Sequence, residues 1–147
     1  MKSKMIAEAE GQKTYLLVLE PGEEAFSSIA NFAQRETIRA ASLTALGAFE
    51  RATVAWFDVA TKDYVKIPVA EQVEVLSLVG DIAVDDEGKS SLHAHVVLGL
   101  RDGSVKGGHL LEAIVRPTLE VTLTESPAHL RRKKRPELGI ALIDPGA

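Results

Sequence analysis

The fold is decided by Ser91-Leu92-His93-Ala94-His95-Val96-Val97-Leu98-Gly99-Leu100, a stretch in which apolar residues occupy every second position. A period of two is typical of a β-strand that packs one face against the core. The opposite face of this strand carries His93 and His95, at positions about 6.5 to 7 Å apart. The pattern therefore predicts a strand with one buried apolar face and two imidazoles on the other. The apolar face comprises Leu92, Ala94, Val96, Leu98 and Leu100.

A third histidine, His109, follows this strand after the turn signal Asp102-Gly103. The length of the loop decides where His109 lies, because a shift of one residue moves every side chain to the other face. A two-residue loop would pair Arg101 with Ser104 and would set His109 opposite Val96, on the apolar face. In that register the third histidine is separated from the other two.

A three-residue loop gives the alternative register. A type I turn followed by a glycine in the left-handed conformation would pair Leu100 with Ser104. His95 then faces His109, and all three histidines lie on one face of the hairpin. The sequence leaves both registers open.

Three histidines on one face form a candidate metal site. Neutral imidazoles hold Zn²⁺ at about 2.0 to 2.1 Å, and three of them leave a fourth coordination position open. His93, His95 and His109 are therefore the predicted ligands of a divalent metal, with zinc as the first choice. Glu112 follows His109 by three residues, and we expect its carboxylate to orient an imidazole or to supply an oxygen ligand.

Hydrophobic periodicity assigns the rest of the chain to strands and one helix. An apolar run at residues 14–19 ends at Pro21-Gly22 and predicts a strand followed by a turn. Residues 23–36 carry an i, i+3, i+4, i+7 apolar stripe and predict a helix. Short polar or glycine breaks favour hairpins over crossover helices, so we expect an α+β fold, a mostly antiparallel β-sheet with one main flanking helix. The other period-two segments are residues 41–46, 53–59, 65–69, 73–82, 92–100 and 119–124.

The composition is that of one ordinary globular domain. The chain has 147 residues, of which 46% are hydrophobic and 26% charged, and we expect a single domain over residues 1–147 with its core at about 14–144. The absence of cysteine excludes disulfides, iron–sulfur clusters and thiol nucleophiles. No stretch resembles a signal peptide or approaches the roughly 20 apolar residues that span a bilayer. We therefore expect a cytoplasmic protein with no membrane partner.

Five consecutive cations near the C-terminal end are a candidate nucleic-acid contact. Clustered Arg and Lys side chains bind nucleic acid by releasing its counterions. The formal net charge of the chain is -4, so no global positive field draws it onto DNA. We interpret the run as an exposed, solvated loop, with phosphate contact as the alternative. These residues, named here the basic run, are Arg131, Arg132, Lys133, Lys134 and Arg135.

Other polar and aromatic residues receive structural interpretations. The acidic Asp81 and residues 85–87 lack the spacing of a calcium loop and predict a charged hairpin tip. Trp56 and Phe57 lie on a predicted strand, where aromatic side chains usually belong to the core. His129 lies in a predicted loop.

Five segments in a fixed order resemble the PPC (plants and prokaryotes conserved) domain family, also called DUF296. They cover about residues 14–144, nearly the whole chain, and their combination is specific although no single segment is. The segments are Tyr15-Leu16-Leu17-Val18-Leu19-Glu20-Pro21-Gly22-Glu23, Ala45-Leu46-Gly47-Ala48-Phe49, Glu74-Val75-Leu76-Ser77-Leu78-Val79-Gly80-Asp81-Ile82, Leu92-His93-Ala94-His95, and Asp102-Gly103-Ser104-Val105-Lys106-Gly107-Gly108-His109-Leu110.

The resemblance implies an antiparallel-rich sheet with a flanking helix, assembled as a homotrimer. It also implies a histidine site that maps to His93, His95 and His109. Plant members join this domain to AT-hook motifs, which implies a link to DNA. An AT-hook needs an Arg-Gly-Arg core, and residues 131–136 contain no glycine.

These observations support three hypotheses about function. The first is a homotrimeric PPC protein that binds a divalent metal, zinc, through the three histidines. The alternative is a DNA-associated regulatory protein without an AT-hook, in which the basic run contacts phosphate. A further alternative is a metal-dependent enzyme that activates water at the open coordination position.

Overall fold

Strands dominate the chain. The computed structural model describes residues 1–127 and 129–146. The elements in chain order are β1 (Lys2–Ala9), β2 (Gln12–Leu19), α1 (Ala25–Arg35), β3 (Ala40–Asp58), β4 (Asp63–Val69), β5 (Val73–Val84), β6 (Ser90–Gly99), β7 (Val105–Glu125), β8 (Arg132–Arg135) and β9 (Ile140–Ile143).

Seven of these strands form one antiparallel sheet in the order β1-β2-β7-β6-β5-β3-β4. Strand β3 also pairs with β7, so β7, β6, β5 and β3 close on themselves. Strands β8 and β9 form a separate antiparallel pair. The predicted fold class, a mostly antiparallel sheet with one main helix, is confirmed.

Helix α1 covers the core through its apolar stripe, which buries Ile29 and Phe32. Glu24 caps its first turn, because the carboxylate accepts hydrogen bonds from the backbone N–H groups of Phe26 and Ser27. The same carboxylate accepts a hydrogen bond from the backbone N–H of Ala113 in β7. One side chain therefore both starts the helix and ties it to the sheet. The stripe predicted a helix over residues 23–36, so α1 begins two residues later and ends one residue earlier than predicted.

The core of the closed sheet confirms the alternation on β6. Leu92, Ala94, Val96 and Leu98 are all buried, with Leu98 fully so. His93, between them, is only half-buried, and it lies on the other face. The apolar face of β6 therefore builds the core and leaves the imidazoles outside it.

Three strands of the seven-stranded sheet differ markedly from their predictions. Strand β3 is continuous where two strands were expected, and β7 begins at Val105 instead of near residue 119. Register shifts between β3 and β7 explain both errors, because each bulge breaks the period of two without ending the strand. Strand β1 was missed, since all eight of its residues are exposed and no apolar face marks it.

Three structural interpretations of side chains were wrong. The basic run is not an exposed loop: four of its residues form β8, and Arg132 is only 8% exposed. Trp56 is 60% exposed instead of belonging to the core, and its register partner Val65 on β4 is 50% exposed, so this face of the hairpin is not covered by the core. Asp81 lies inside β5 and not at a hairpin tip, whereas residues 85–88 do form that turn. Among the described residues, no helix is long and apolar enough to cross a membrane.

Candidate metal centre

The turn between β6 and β7 settles the register of the histidine hairpin. The backbone N–H of Leu100 donates to the carbonyl of Ser104, and that of Gly103 donates to the carbonyl of Leu100, both at 2.9 Å. Gly103 has φ +83°, the left-handed conformation that the three-residue loop needs. His95 consequently pairs with His109, which is the second of the two registers considered from the sequence.

A glycine beside His109 allows β7 to approach β3 closely. Gly108 has φ +154°, and a Cβ atom at this position would lie 2.3 Å from the carbonyl oxygen of Ala55. Such a distance is far inside van der Waals contact, so only glycine fits. Ala55 pairs with His109. This close approach therefore holds the third histidine in the sheet at the level of the other two.

The three imidazoles converge on one point. His93 Nε2 and His109 Nδ1 are 3.2 Å apart. One ring nitrogen from each of His93, His95 and His109 lies within 4.8 Å of the others. The ring centroids are 4.2 to 5.1 Å apart. Three imidazoles in this arrangement can bind a single divalent metal ion.

The pKa values of two of these histidines keep them neutral. Desolvation, together with smaller contributions from the neighbouring His95 and His93, lowers the pKa of His109 to about 4. Desolvation also lowers the pKa of His95, and His93 adds to the effect while Asp81 opposes it. Since a metal binds only the neutral imidazole, protons compete weakly at these positions near neutral pH.

Asp81 is the carboxylate that contacts the histidine cluster. Its register partner on β6 is His93, and its Oδ2 lies 3.4 Å from His93 Nδ1. Its Oδ1 accepts a hydrogen bond from the guanidinium of Arg132. Burial raises the pKa of Asp81, but the hydrogen bond with His93 and the charge of Arg132 outweigh it and hold the pKa below its usual range. Asp81 is therefore ionised and engaged through both oxygens.

Glu112 lies apart from the imidazoles. Its Oε1 accepts a hydrogen bond from Thr53 Oγ1 at 3.0 Å, and no hydrogen bond joins it to an imidazole in residues 1–127 and 129–146. Glu112 and Thr53 line a cavity of about 150 Å³ between β3, β4 and β7. Tyr64 instead contacts the cluster, with its ring edge-on to His109 at a centroid distance of 5.1 Å.

The members of the basic run contact different partners. Arg132 pairs with Asp81, while Lys133 and Arg135 both pair with Asp144, at 3.2 and 3.5 Å. Arg131 and Lys134 are exposed. His129, predicted in a loop, is exposed and outside the strands.

Sequence reasoning missed Asp81, Arg132 and Tyr64 as neighbours of the cluster. A signal for Asp81 existed: extending the period of two along residues 73–82 and pairing that strand with the next sets Asp81 opposite His93. Arg132 carried no such signal, because its partner is 51 residues away in sequence.

Comparison with known proteins agrees with this architecture. A family model described as the Plants and Prokaryotes Conserved (PCC) domain matches residues 6–127. A crystal structure of a plant- and prokaryote-conserved (PPC) protein from Pyrococcus horikoshii superposes with a TM-score of 0.83 and 35% identity, over 89% of this chain and 90% of that chain. No curated protein matches the chain.

Two further solved structures carry descriptions that bear on function. A metal-containing protein from Archaeoglobus fulgidus has a TM-score of 0.82 and 33% identity, over 97% of this chain and 99% of that chain. A protein named as a candidate DNA-binding protein from Bacteroides thetaiotaomicron has a TM-score of 0.84 and 28% identity, over 89% and 91% of the two chains. From the family model and the identities together, the chain belongs to the Plants and Prokaryotes Conserved domain family, the PPC family that its sequence resembles.

Proposed function

We propose that this protein binds a divalent metal, zinc, through His93, His95 and His109, with one coordination position left open. The observation that carries the proposal is the convergence of three imidazole nitrogens from two paired strands. The chain contains no cysteine, so imidazole is the softest nitrogen or sulfur ligand that it offers in a cluster. Zinc in a three-histidine site is a common arrangement for a metal that keeps an exchangeable ligand.

The spacing of the nitrogens fits a tetrahedral ion. Two ligands at about 2.0 to 2.1 Å from zinc at the tetrahedral angle lie roughly 3.3 to 3.4 Å apart. His93 Nε2 and His109 Nδ1 are already 3.2 Å apart. His95 completes the set, because one of its ring nitrogens lies within 4.8 Å of those of the other two histidines. In addition, Asp81 contacts Nδ1 of His93, and a carboxylate on the far ring nitrogen is the usual support of a metal-bound histidine.

The similarity to the metal-containing Archaeoglobus fulgidus protein supports metal binding.

We also propose one domain over the whole chain, and a cytoplasmic homotrimer. The support for assembly is a set of exposed apolar side chains on the sheet surface that carries the histidines, where Val79 pairs with His95. Copies of the chain can bury this surface together. Its members are Leu46, Leu76, Val79 and Val97, each more than 40% exposed.

The test is the metal content of protein that is purified without an affinity tag. We expect about one zinc per chain in the wild type, and none after His95→Ala, because two imidazoles bind zinc weakly. His129→Ala is the matched control, since it removes an exposed histidine outside the cluster and should leave the metal content unchanged. Metal retained at full stoichiometry in His95→Ala would refute the proposal.

Association with DNA is the second candidate function, favoured by the candidate DNA-binding relative. In this chain the exposed cations Arg131 and Lys134 are the groups available for phosphate. Binding through them should weaken steeply with salt and decrease after Arg131→Gln with Lys134→Gln. DNA binding that neither salt nor this double variant alters would argue against a phosphate contact by the basic run.

A further inference from the structure

Arg132 of the basic run is a buried charged residue. Among the described residues, Arg132 is the one charged or polar side chain that is buried, at 8% exposure. Its Nε has no hydrogen-bond partner. Burying a guanidinium is costly, and the cost is offset only when a counter-charge is held in good geometry. That counter-charge is Asp81.

Arg132 and His93 hold Asp81 from two sides. Arg132 binds Oδ1, and Oδ2 faces His93 Nδ1 at 3.4 Å. A carboxylate paired with a guanidinium offers only acceptor oxygens, so Asp81 Oδ2 accepts a hydrogen bond from His93 and assigns the ring proton of His93 to Nδ1. The lone pair of His93 is thereby left on Nε2, the nitrogen 3.2 Å from His109 Nδ1. The carboxylate selects the tautomer, and the guanidinium holds the carboxylate.

The strand that carries Arg132 is attached to β5 by its backbone. The N–H of Val84 donates to the carbonyl of Leu130 at 2.8 Å, and Val84 forms a parallel bridge with Arg131. The N–H of Asp144 donates to the carbonyl of Arg131 at 2.9 Å, which ties the end of β9 to the start of β8. The C-terminal hairpin thus reaches the histidine cluster through one side chain.

We propose that Arg132 is a positioning residue of the metal centre, acting through Asp81 to fix the orientation and tautomer of His93. The inference rests on the proposed metal binding. A consequence is reciprocal coupling: if docking of β8 strengthens metal binding, metal binding stabilises the docking of β8 by the same free energy.

The first experiment measures zinc affinity by competition with a chromophoric chelator for four proteins: wild type, Arg132→Lys, Asp81→Asn and the double variant. Lysine keeps the positive charge near the metal but lacks the planar fork that grips a carboxylate, so Arg132→Lys reports on geometry and not on charge. We expect Asp81→Asn to weaken zinc binding about 10- to 100-fold and Arg132→Lys about 3- to 10-fold. In the Asp81→Asn background, Arg132→Lys should add no further loss.

Arg131→Lys is the matched control, because it makes the same change at the exposed neighbour, and it should bind zinc like the wild type. Additive losses in the double variant, or an unchanged affinity in Arg132→Lys, would overturn the inference while leaving the metal site intact. Failure of the wild type to bind zinc would refute the proposed function itself.

A second measurement uses only the wild type, so its result does not depend on whether the variants fold. Hydrogen exchange of the β8 backbone amides should slow when zinc is added to the metal-free wild type. Amides of β1, at the far edge of the sheet, provide the internal reference. Zinc binding without slower exchange in β8 would contradict the coupling.

Discussion

The histidine cluster and the basic run are both dense groups of ionisable residues, and the fold treats them in opposite ways. The three histidines come from two paired strands and share one face, so their ring nitrogens meet within 4.8 Å. The five cations are consecutive in sequence, yet Arg132 is buried on Asp81 while Lys133 and Arg135 pair with Asp144. Cations that are adjacent in sequence therefore contact different partners, whereas strand register brings histidines from two separate strands together.

The difference has a simple physical cause. Consecutive residues of a strand point alternately to opposite faces, so a continuous run cannot present one surface. Like charges also repel, and three of the cations gain by contact with a carboxylate, Arg132 with Asp81 and both Lys133 and Arg135 with Asp144. Neutral imidazoles do not repel in this way, and burial lowers the pKa of His109 enough to keep it neutral. Three neutral imidazoles can therefore lie side by side, whereas the charged side chains of the basic run separate.

The largest effect should come from Gly108→Ala, which attacks the register that brings His109 to the cluster. The new Cβ would lie 2.3 Å from the carbonyl of Ala55, so β3 and β7 must separate. We expect a loss of about 3 kcal/mol or more in the free energy of unfolding, measured by urea denaturation. Gly103→Ala is the control: its φ is +83° but the space is open, and about 1 kcal/mol should be lost. Equal losses in the two variants would show that the close approach is unimportant.

Arg132→Gln should cause the next largest loss in the free energy of unfolding. It tests whether the residues of the basic run contribute equally to stability. Removing one partner of a buried ion pair costs several kcal/mol, and Asp81 is 30% exposed, so we expect a loss of about 2 to 3 kcal/mol. The same substitution at exposed Arg131 should cost less than about 0.5 kcal/mol. Urea denaturation of the metal-free proteins measures both. Similar losses at the two positions would contradict the distinction between them.

Acidification should destabilise the metal-free protein through the histidine cluster. The pKa of His109 is about 4 in the folded protein against 6.5 in its ordinary state, so the unfolded chain binds the proton first as the pH falls. Stability contributed by neutral His109 is complete above about pH 6.5 and decreases toward pH 4, by roughly 1 kcal/mol for this partly buried group. Thermal melting between pH 7 and 4 measures it. His109→Gln should show a flatter profile, and an equally steep one would assign the effect elsewhere.

The smallest effect should come from Asp144→Asn, which removes the ion pairs of Lys133 and Arg135. Those side chains are 46% and 43% exposed, so their pairs are screened by solvent. We expect a smaller loss of stability than Arg132→Gln causes, further reduced by salt, in urea denaturation at two ionic strengths. A loss as large as that of Arg132→Gln would mean that the whole of β8, and not one residue of it, is a buried element.

Much of the site followed from the sequence because its pattern is local. The alternation on β6 predicted that His93 and His95 share a face, and the register that adds His109 was one of the two that the sequence left open. Glu112 shows the limit of that reasoning, because short separation along a strand does not bring a carboxylate to an imidazole. It bonds Thr53, while Asp81 from the neighbouring strand contacts His93.

The sequence by itself determined the fold class, the helix, the apolar face of β6 and the placement of His93 and His95 on the opposite face, because these depend on the spacing of residues within short local segments. Only the tertiary structure decided that β3 and β7 run unbroken through their bulges, that the hairpin takes the three-residue loop, and that Arg132 is buried against Asp81. These features depend on pairing between segments far apart in the chain. Local alternation cannot specify such pairing, since the free energy of each choice is set by the partner strand.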